Sequence, residues 1–130
     1  MYAIICGRKT ADDVGIKMIN QREHILCAAI WYKDIPLKRE IPSVLPKNCD
    51  KGLVVLGHRH GQCIWTVACL TGLRTVEVAE DATGPHEQGF LTNTNRFVDR
   101  EEAFDIAESA GQLNDRTRGD IRTLYSEDLY

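Results

Sequence analysis

The fold of this chain is decided by two segments, Val54-Val55-Leu56-Gly57-His58-Arg59-His60-Gly61-Gln62-Cys63 and Gly89-Phe90-Leu91-Thr92-Asn93-Thr94-Asn95-Arg96-Phe97-Val98-Asp99-Arg100. In each, an apolar strand-like run passes into the start of a helix, and arginine or amide side chains lie at the junction. A helix start carries unpaired backbone N–H groups and the positive end of the peptide dipole. The two segments therefore predict a receptor for phosphate or another anion.

Both helices that follow these junctions have recognisable ends. The first is predicted over about 60–71, because apolar residues recur there at helical spacing and Gly72 is suited to end it. The second is predicted over about 99–110, with Asp99 as its N-cap and Glu102 three residues further on. Its apolar stripe is Ala103, Ile106, Ala107 and Ala110.

The strands are predicted mainly in the first half of the chain. Apolar runs at 2–6, 24–32 and 52–56 indicate strands, and 73–78 is also strand-like. A Gly-Pro pair indicates a surface turn over 81–88. The prediction is an α+β fold, in which an antiparallel β-sheet in the N-terminal half is followed by two α-helices packed on one face.

The chain is predicted to form a single domain, residues 1–130, strand-rich over about 1–57, because no internal repeat or low-complexity tract supports a second one. Three prolines disfavour a helix over 35–47, which is predicted to be an extended loop or an edge. The ends of the chain, 8–22 and 113–130, have no decisive pattern.

Charge and hydropathy exclude several classes of partner. The net charge is −3, from 16 basic and 19 acidic residues, so no overall basic field is available for a long nucleic acid. No apolar run approaches the length of a signal peptide or a membrane helix. Five cysteines, an odd number, favour reduced thiols in a cytoplasm over a disulfide framework.

Metal binding is one alternative use of these residues. Cys49, His58, His60 and Cys63 are chemically suitable zinc ligands within a short span. Their spacing, C-x8-H-x-H-x2-C, is not a standard zinc-finger pattern. The spacing favours buried thiols beside exposed or hydrogen-bonded imidazoles, and no metal or cofactor is expected.

Catalysis by a thiol is a second alternative. Cys63 lies near a helix start, where the thiol pKa can fall, and His60 precedes it by three residues. A catalytic thiol also needs an orienting group and a pocket, which a sequence does not display. We therefore expect Cys63 in the core and no catalytic residue in this protein.

Anion binding makes better use of the two junctions. The candidate residues carry guanidinium groups for phosphate oxygens, amides for ribose or base, or rings for stacking. They are Arg59, Arg96, Arg100, Asn93, Asn95, Phe90 and Phe97. In the competing interpretation, both phenylalanines fill the core and the arginines pair with Asp99, Glu101 or Glu102. Spacing alone leaves both interpretations open.

Three motifs together resemble one family of small bacteriophage proteins. They are G-H-R-H-x-x-C at 57–63, G-F-L-T-N-T-N-R-F-V-D-R-E-E-A-F-D-I-A at 89–107 and L-Y-S-E-D-L-Y at 124–130. The chain is similar over roughly residues 24–130 to the phage anti-Thoeris sponges, the first type of Thoeris anti-defence protein. The second motif is the most specific of the three.

The resemblance implies a function. Members of that family bind cyclic ADP-ribose signals made by bacterial TIR-domain enzymes without cleaving them, and so silence Thoeris immunity in the cytoplasm of the infected host. It also implies an N-terminal antiparallel sheet followed by two helices. Members form dimers that assemble into hexamers, with the cyclic ADP-ribose pocket at the dimer interface, and some hold cyclic trinucleotides in separate sites.

The resemblance also implies roles for particular residues. The arginine before the first helix corresponds to Arg59, and the aromatic of the Gly-Phe motif to Phe90. The polar group at the second helix start is Asp99 or Asn95. A further basic residue beyond the second helix is Arg116 or Arg118. The loop over 81–88 is longer than the family pattern leads us to expect.

Two functions of other classes remain open at this point. One is a small nucleotide hydrolase or phosphodiesterase that uses His58 and His60. The other is a phage protein that acts by binding a host protein through its surface.

Overall fold

A computed structural model describes residues 22–35, 45–116 and 121–130 of the chain. The predicted strand at 2–6 and most of the predicted loop at 35–47 lie outside these residues. The elements in chain order are β1 (Ile25–Tyr32), β2 (Leu53–Gly57), α1 (His60–Thr71), α2 (Thr75–Ala79), β3 (His86–Thr92), β4 (Phe97–Asp99), α3 (Arg100–Ser109) and a 3-10 turn (Ser126–Asp128).

The strands form one antiparallel sheet in the order β2-β1-β3-β4. The strand β1 is central, and Ala29 lies opposite Leu56 on one side and Gly89 on the other. Its apolar composition agrees with this position, because most of its side chains are buried, including Ala28, Ala29 and Ile30. The sheet and the helices confirm the predicted α+β class.

The helices α1 and α3 pack on one face of this sheet, as predicted. Side chains alternate along a strand, so Ala28, Ile30 and Tyr32 of β1 share a face. The helix α3 packs against the Ala28 end in a buried cluster with Phe90, Val98, Ala103, Phe104, Ala107 and Leu124. The helix α1 packs against the other end in a cluster with Val55, Cys63, Val67, Ala68 and Val78.

The opposite face of the sheet is covered in part by residues 45–50. Ala29 and Phe97 form a buried cluster there with Cys49. The side chain of Asn48 donates to the carbonyl oxygen of Phe97 at 2.7 Å and accepts from the Phe97 N–H at 2.8 Å. This pair of bonds ties the segment to the edge strand β4.

The ends of both main helices agree with the sequence patterns. The helix α1 ends at Gly72, whose φ of 78° is the left-handed conformation that glycine adopts without a steric cost. At the start of α3, Asp99 accepts from the backbone N–H groups of Glu101 and Glu102 at 3.0 and 2.8 Å. The predicted N-cap is thus confirmed.

Two local predictions are wrong. Residues 73–78 are not a strand, because Thr75–Ala79 form the short helix α2. The Glu77 carboxylate accepts from the Arg74 N–H at 2.8 Å, which stabilises this helix start and outweighs the β-branched composition. The predicted turn over 81–88 ends early, because β3 already begins at His86.

The second deciding segment contains a hairpin as well as a helix start. The chain reverses between β3 and β4, and Asn95 there has a φ of 62°, which asparagine tolerates better than most residues. Only β4 leads directly into α3. In the described part of the chain, no helix is both long enough and apolar enough to span a membrane.

Candidate functional site

The start of α1 lies against residues 124–130, and this junction gathers most of the cations predicted to bind an anion. Arg59 occupies the N-cap position of α1. A guanidinium group has no acceptor, so it cannot cap the helix, and no side chain accepts a capping bond there. Gln62 instead accepts from the Arg59 backbone N–H at 3.0 Å. The positive end of α1 therefore carries an additional positive charge.

The Arg59 guanidinium uses only part of its hydrogen-bonding capacity in contacts with the described residues. Its Nη2 atom donates to the main-chain oxygen of Tyr130, and its Nε atom lies 4.0 Å from a carboxylate oxygen of Glu127. Its Cζ atom lies 5.1 Å from the centre of the Tyr130 ring. The Nη1 atom is buried and has no hydrogen-bond partner among the described residues. A buried donor without a partner is costly and is suited to an incoming anion.

Aromatic rings lie beside this guanidinium. The rings of His58 and Tyr130 stack with centres 4.3 Å apart and planes 24° apart. The Tyr130 hydroxyl donates to the His58 carbonyl oxygen at 3.3 Å. The Tyr130 side chain is nevertheless 44% exposed. A flat apolar surface and a cation are thus accessible at the same place.

A second cation, Arg100, lies between α3 and the same segment. Its Nη1 atom donates to the carbonyl oxygen of Leu124 at 2.9 Å, and Nη2 donates to Gln88 Oε1 at 2.5 Å. Its Cζ atom lies 4.9 Å from the centre of the Tyr125 ring. Burial lowers the pKa of Arg100, but an arginine stays charged at neutral pH. Arg100 therefore supplies a fixed positive charge.

His60 connects Arg100 to α1. Its Nε2 atom lies 2.7 Å from the carbonyl oxygen of Gly89, and its Nδ1 atom lies 3.4 Å from Arg100 Nη2. Desolvation by burial lowers the pKa of His60 below its usual value, which favours the neutral ring. The Nε2 proton then points to Gly89 and Nδ1 accepts from Arg100. Both ring nitrogens are engaged, so His60 is poorly placed to act as a general base.

Arg116 holds residues 124–130 in place. Its Nη1 atom lies 2.7 Å from Asp128 Oδ1, and the other oxygen of this buried carboxylate accepts from the Tyr125 N–H at 2.9 Å. Its Cζ atom lies 5.8 Å from the Tyr125 ring centre. Arg118, the other candidate at this position, lies outside the described residues.

Two of the predicted binding residues serve the hairpin between β3 and β4. Arg96 donates to both oxygens of Glu23 at 2.9 and 2.8 Å, and also to Glu102 at 2.9 Å. The Arg96 bonds lower the pKa of Glu23 to about 2. The side chain of Asn93 accepts from the His24 N–H at 2.7 Å. For Arg96 and Asn93, the interpretation as structural contacts describes the molecule better.

The remaining predicted residues differ in exposure. Asn95 is exposed at the hairpin turn, and Asp99 is exposed while it caps α3. Phe90 is fully buried, with its ring 5.0 Å from that of His60 and edge-on to it, and Phe97 is also buried. A flat wall for a base at the surface of this chain must therefore come from another ring, and the stacked rings of His58 and Tyr130 lie beside Arg59.

Sequence reasoning missed several residues of this site. They are Gln88, Tyr125, Glu127 and Tyr130. Three of them belong to the motif at 124–130, for which the sequence alone predicts no individual role. The available signal was the pair of tyrosines that flank two acidic residues in this motif.

The residues of the alternative zinc and thiol sites are not brought together. Cys49 packs on one face of the sheet, whereas Cys63, a residue of α1, packs against the other face. Burial raises the pKa of each thiol to about 11, which disfavours the thiolate that metal binding or nucleophilic attack requires. Across the described ranges, no group of three or more His, Cys, Asp or Glu side chains is placed to hold a metal ion.

Comparison with known proteins gives one match. The family model of the phage T4 y16D protein matches residues 24–130, which is most of the chain. This protein belongs to the phage T4 y16D protein family. The y16D match includes both deciding segments and the motif at 124–130. The arginines and tyrosines of the candidate site, Arg59, Arg100, Arg116, Tyr125 and Tyr130, therefore all lie within the matched region. No curated protein and no solved structure was found to match the chain.

Proposed function

We propose that this y16D-family protein binds and sequesters cyclic ADP-ribose-type signalling nucleotides without cleaving them, and thereby blocks Thoeris immunity in the cytoplasm of the infected bacterium. The observation that carries the proposal is the Arg59 guanidinium at the uncapped start of α1, with its buried Nη1 atom unpartnered among the described residues and the Tyr130 ring beside it. Membership of a bacteriophage family agrees with an action inside an infected host.

The chemistry of the ligand matches these groups. A cyclic ADP-ribose isomer carries a pyrophosphate, two riboses and an adenine. The pyrophosphate needs charge-assisted donors, which Arg59 and the α1 N-terminus supply. The adenine needs a flat wall, and the exposed ring of His58 is suited to that role. Arg100 adds a second positive charge beside the same C-terminal segment, where it contacts Leu124 and Tyr125.

The positions of His60 and Cys63 support sequestration over cleavage. Hydrolysis needs a base or nucleophile that can reach the reacting bond. His60 has both ring nitrogens engaged, and the Cys63 thiol is buried with a raised pKa. A protein that only binds its ligand needs neither group, but it must bind tightly to compete with the host sensor.

The proposal includes a homo-oligomer, a dimer or hexamer. Trp65 and Leu70 on α1 are 63% and 69% exposed, and Val76 on α2 is 50% exposed. Exposed apolar side chains of this size support contact with another protein surface, here a second copy. The molar mass in solution, measured by light scattering during gel filtration, tests this part.

The decisive experiment incubates the purified protein with cyclic ADP-ribose isomers and, separately, with a cyclic trinucleotide. Depletion of free ligand is measured, and the mixture is then heated and the released compound analysed. The proposal requires depletion followed by release of the unchanged molecule. A changed product would identify a hydrolase, and no depletion would favour a protein-interaction module.

Substitution of Arg59 locates the site. Arg59→Ala should abolish depletion while the thermal midpoint stays close to that of the wild type, because a partly exposed arginine contributes little stability. Arg122→Ala is the matched control, since Arg122 makes exposed ion pairs with Asp105 and Glu108 on α3. Full depletion by Arg59→Ala would show that the ligand binds elsewhere.

A further inference from the structure

Residues 126–130 already place ligand-like groups on the candidate site. The Tyr130 ring stacks on His58 and lies over the Arg59 guanidinium, in the position that a base would need. A Glu127 carboxylate oxygen lies 4.0 Å from Arg59 Nε, and the main-chain oxygen of Tyr130 accepts from Nη2. The segment thus brings a flat ring and anionic or acceptor oxygens to the same guanidinium.

The buried anchors of this segment are held very differently from the side chains that reach Arg59. Leu124 is fully buried in the core, and Asp128 is buried beneath Arg116. The Asn114 side chain also donates to the Glu127 carbonyl oxygen at 2.8 Å. In contrast, the Glu127 side chain is 55% exposed and Tyr130 is 44% exposed. The groups on Arg59 can therefore leave while the buried anchors stay in place.

One of the contacts that would have to break, the ion pair between Glu127 and Arg59, is weak. Exposed ion pairs at about 4 Å contribute little net free energy, because solvent screens them. A phosphate offers more charge and more acceptor atoms to the same guanidinium than one carboxylate does. The negative charge of Glu127 also partly offsets the burial that lowers the pKa of His60 and of Arg100, so its field reaches both of these residues.

We propose that residues 126–130 act as an internal pseudo-ligand, in which Tyr130 and Glu127 occupy the His58 and Arg59 site in the free protein and are displaced by the bound nucleotide. This inference rests on the proposed nucleotide site. Such self-occupancy weakens the observed binding, because the observed association constant equals the intrinsic one multiplied by the fraction of molecules whose site is open. It also partly neutralises an otherwise exposed cation until the ligand arrives.

The test measures affinity by calorimetry for two probes, a cyclic ADP-ribose isomer and inorganic pyrophosphate. Glu127→Gln and Tyr130→Ala should each tighten binding by about two- to fivefold, the range expected for loss of one weak surface contact. Glu108→Gln, which removes a comparable exposed carboxylate from its pair with Arg122, should leave both affinities unchanged. Tyr130→Phe, which removes only the hydroxyl bond to His58, should have a smaller effect than Tyr130→Ala.

Hydrogen exchange on the wild-type protein gives an independent readout. The backbone N–H groups of Asp128 and Leu129 donate to Tyr125 and Ser126 at 2.9 and 3.2 Å. Saturating ligand should speed exchange at Leu129 more than at Asp128, because Asp128 lies nearer the buried anchor. Slower exchange at Leu129 with ligand would overturn the inference, because it would show that the segment stays in place and lines the occupied site.

The outcomes separate this inference from the proposed function. Weaker or unchanged binding by both Glu127→Gln and Tyr130→Ala would overturn the pseudo-ligand even if cyclic ADP-ribose binds the wild type. If cyclic ADP-ribose does not bind but pyrophosphate binds more tightly after both substitutions, the proposed function fails and the pseudo-ligand stands. If neither probe binds, both are wrong.

Discussion

Nδ1 of His60 lies 3.4 Å from Nη2 of Arg100, and this contact joins the first residue of α1 to the first residue of α3. The opposite nitrogen of the same ring bonds the Gly89 carbonyl oxygen on β3. One buried imidazole thus connects two helix starts and a central part of the sheet. The two segments that decide the fold are joined through this ring.

The stability of the protein should depend on pH through His60. Burial lowers the pKa of His60 in the folded state below the value of 6.5 expected in the unfolded chain. Below that value the unfolded chain binds the proton more readily, so the free energy of unfolding should fall as pH falls through about 6.5 towards the folded pKa. Urea denaturation between pH 8 and pH 5 measures this. His60→Gln should flatten the dependence in this range, whereas an unchanged slope would assign it to another group.

Glu23 should control stability in a more acidic range. Its pKa is lowered from 4.5 to about 2, chiefly by the Arg96 hydrogen bonds, so its contribution is complete above 4.5 and is lost as pH falls towards 2. Glu23→Gln should reduce the free energy of unfolding at pH 7 by about 1–2 kcal/mol, because the pair is partly exposed. Glu108→Gln is the control and should cost less than about 0.5 kcal/mol. Equal effects in the two variants would contradict the assignment.

Arg96 and Arg59 should have opposite phenotypes. The Arg96 guanidinium is occupied by Glu23 and Glu102, so Arg96→Ala should lower the thermal midpoint and leave ligand depletion unchanged. Arg59→Ala should leave the thermal midpoint close to that of the wild type and abolish ligand depletion. Thermal melting and the depletion assay on both variants make the comparison. If folded Arg96→Ala protein no longer depleted the ligand, the hairpin between β3 and β4 would have to be part of the binding site.

Gly89 should not tolerate a side chain. A Cβ atom there would lie 2.1 Å from the Val98 carbonyl oxygen and 2.8 Å from the Phe97 ring, and both belong to the neighbouring strand β4. Gly89→Ala should therefore cost about 2 kcal/mol or more by forcing β3 and β4 apart. Gly61→Ala is the matched control, because a Cβ there meets nothing within 4 Å and alanine favours a helix. Equal urea midpoints would show that the sheet can accommodate the methyl group.

Short-range signals predicted the main elements well. The limits of α1 were predicted to the residue, since apolar spacing and Gly72 are both local, and Asp99 was correctly identified as a cap. The short helix α2 was missed because Val76 and Val78 gave a strand-like composition. Its start is stabilised by two hydrogen bonds from Arg74, one from the backbone and one from the side chain, to Glu77, and residue composition does not reveal them.

The sequence by itself determined the limits of α1, the cap of α3, the strands β1 and β2 and the α+β class, because capping, glycine conformations and apolar periodicity act within a few residues. Only the tertiary structure decided which arginines keep hydrogen-bond donors available for an anion. Arg96 meets Glu23, whereas Arg59 meets Tyr130 and keeps a donor without a partner among the described residues. Burial of Phe90 and exposure of Tyr130 were decided in the same way. These outcomes depend on contacts between residues tens of positions apart, which packing of the sheet and helices brings together.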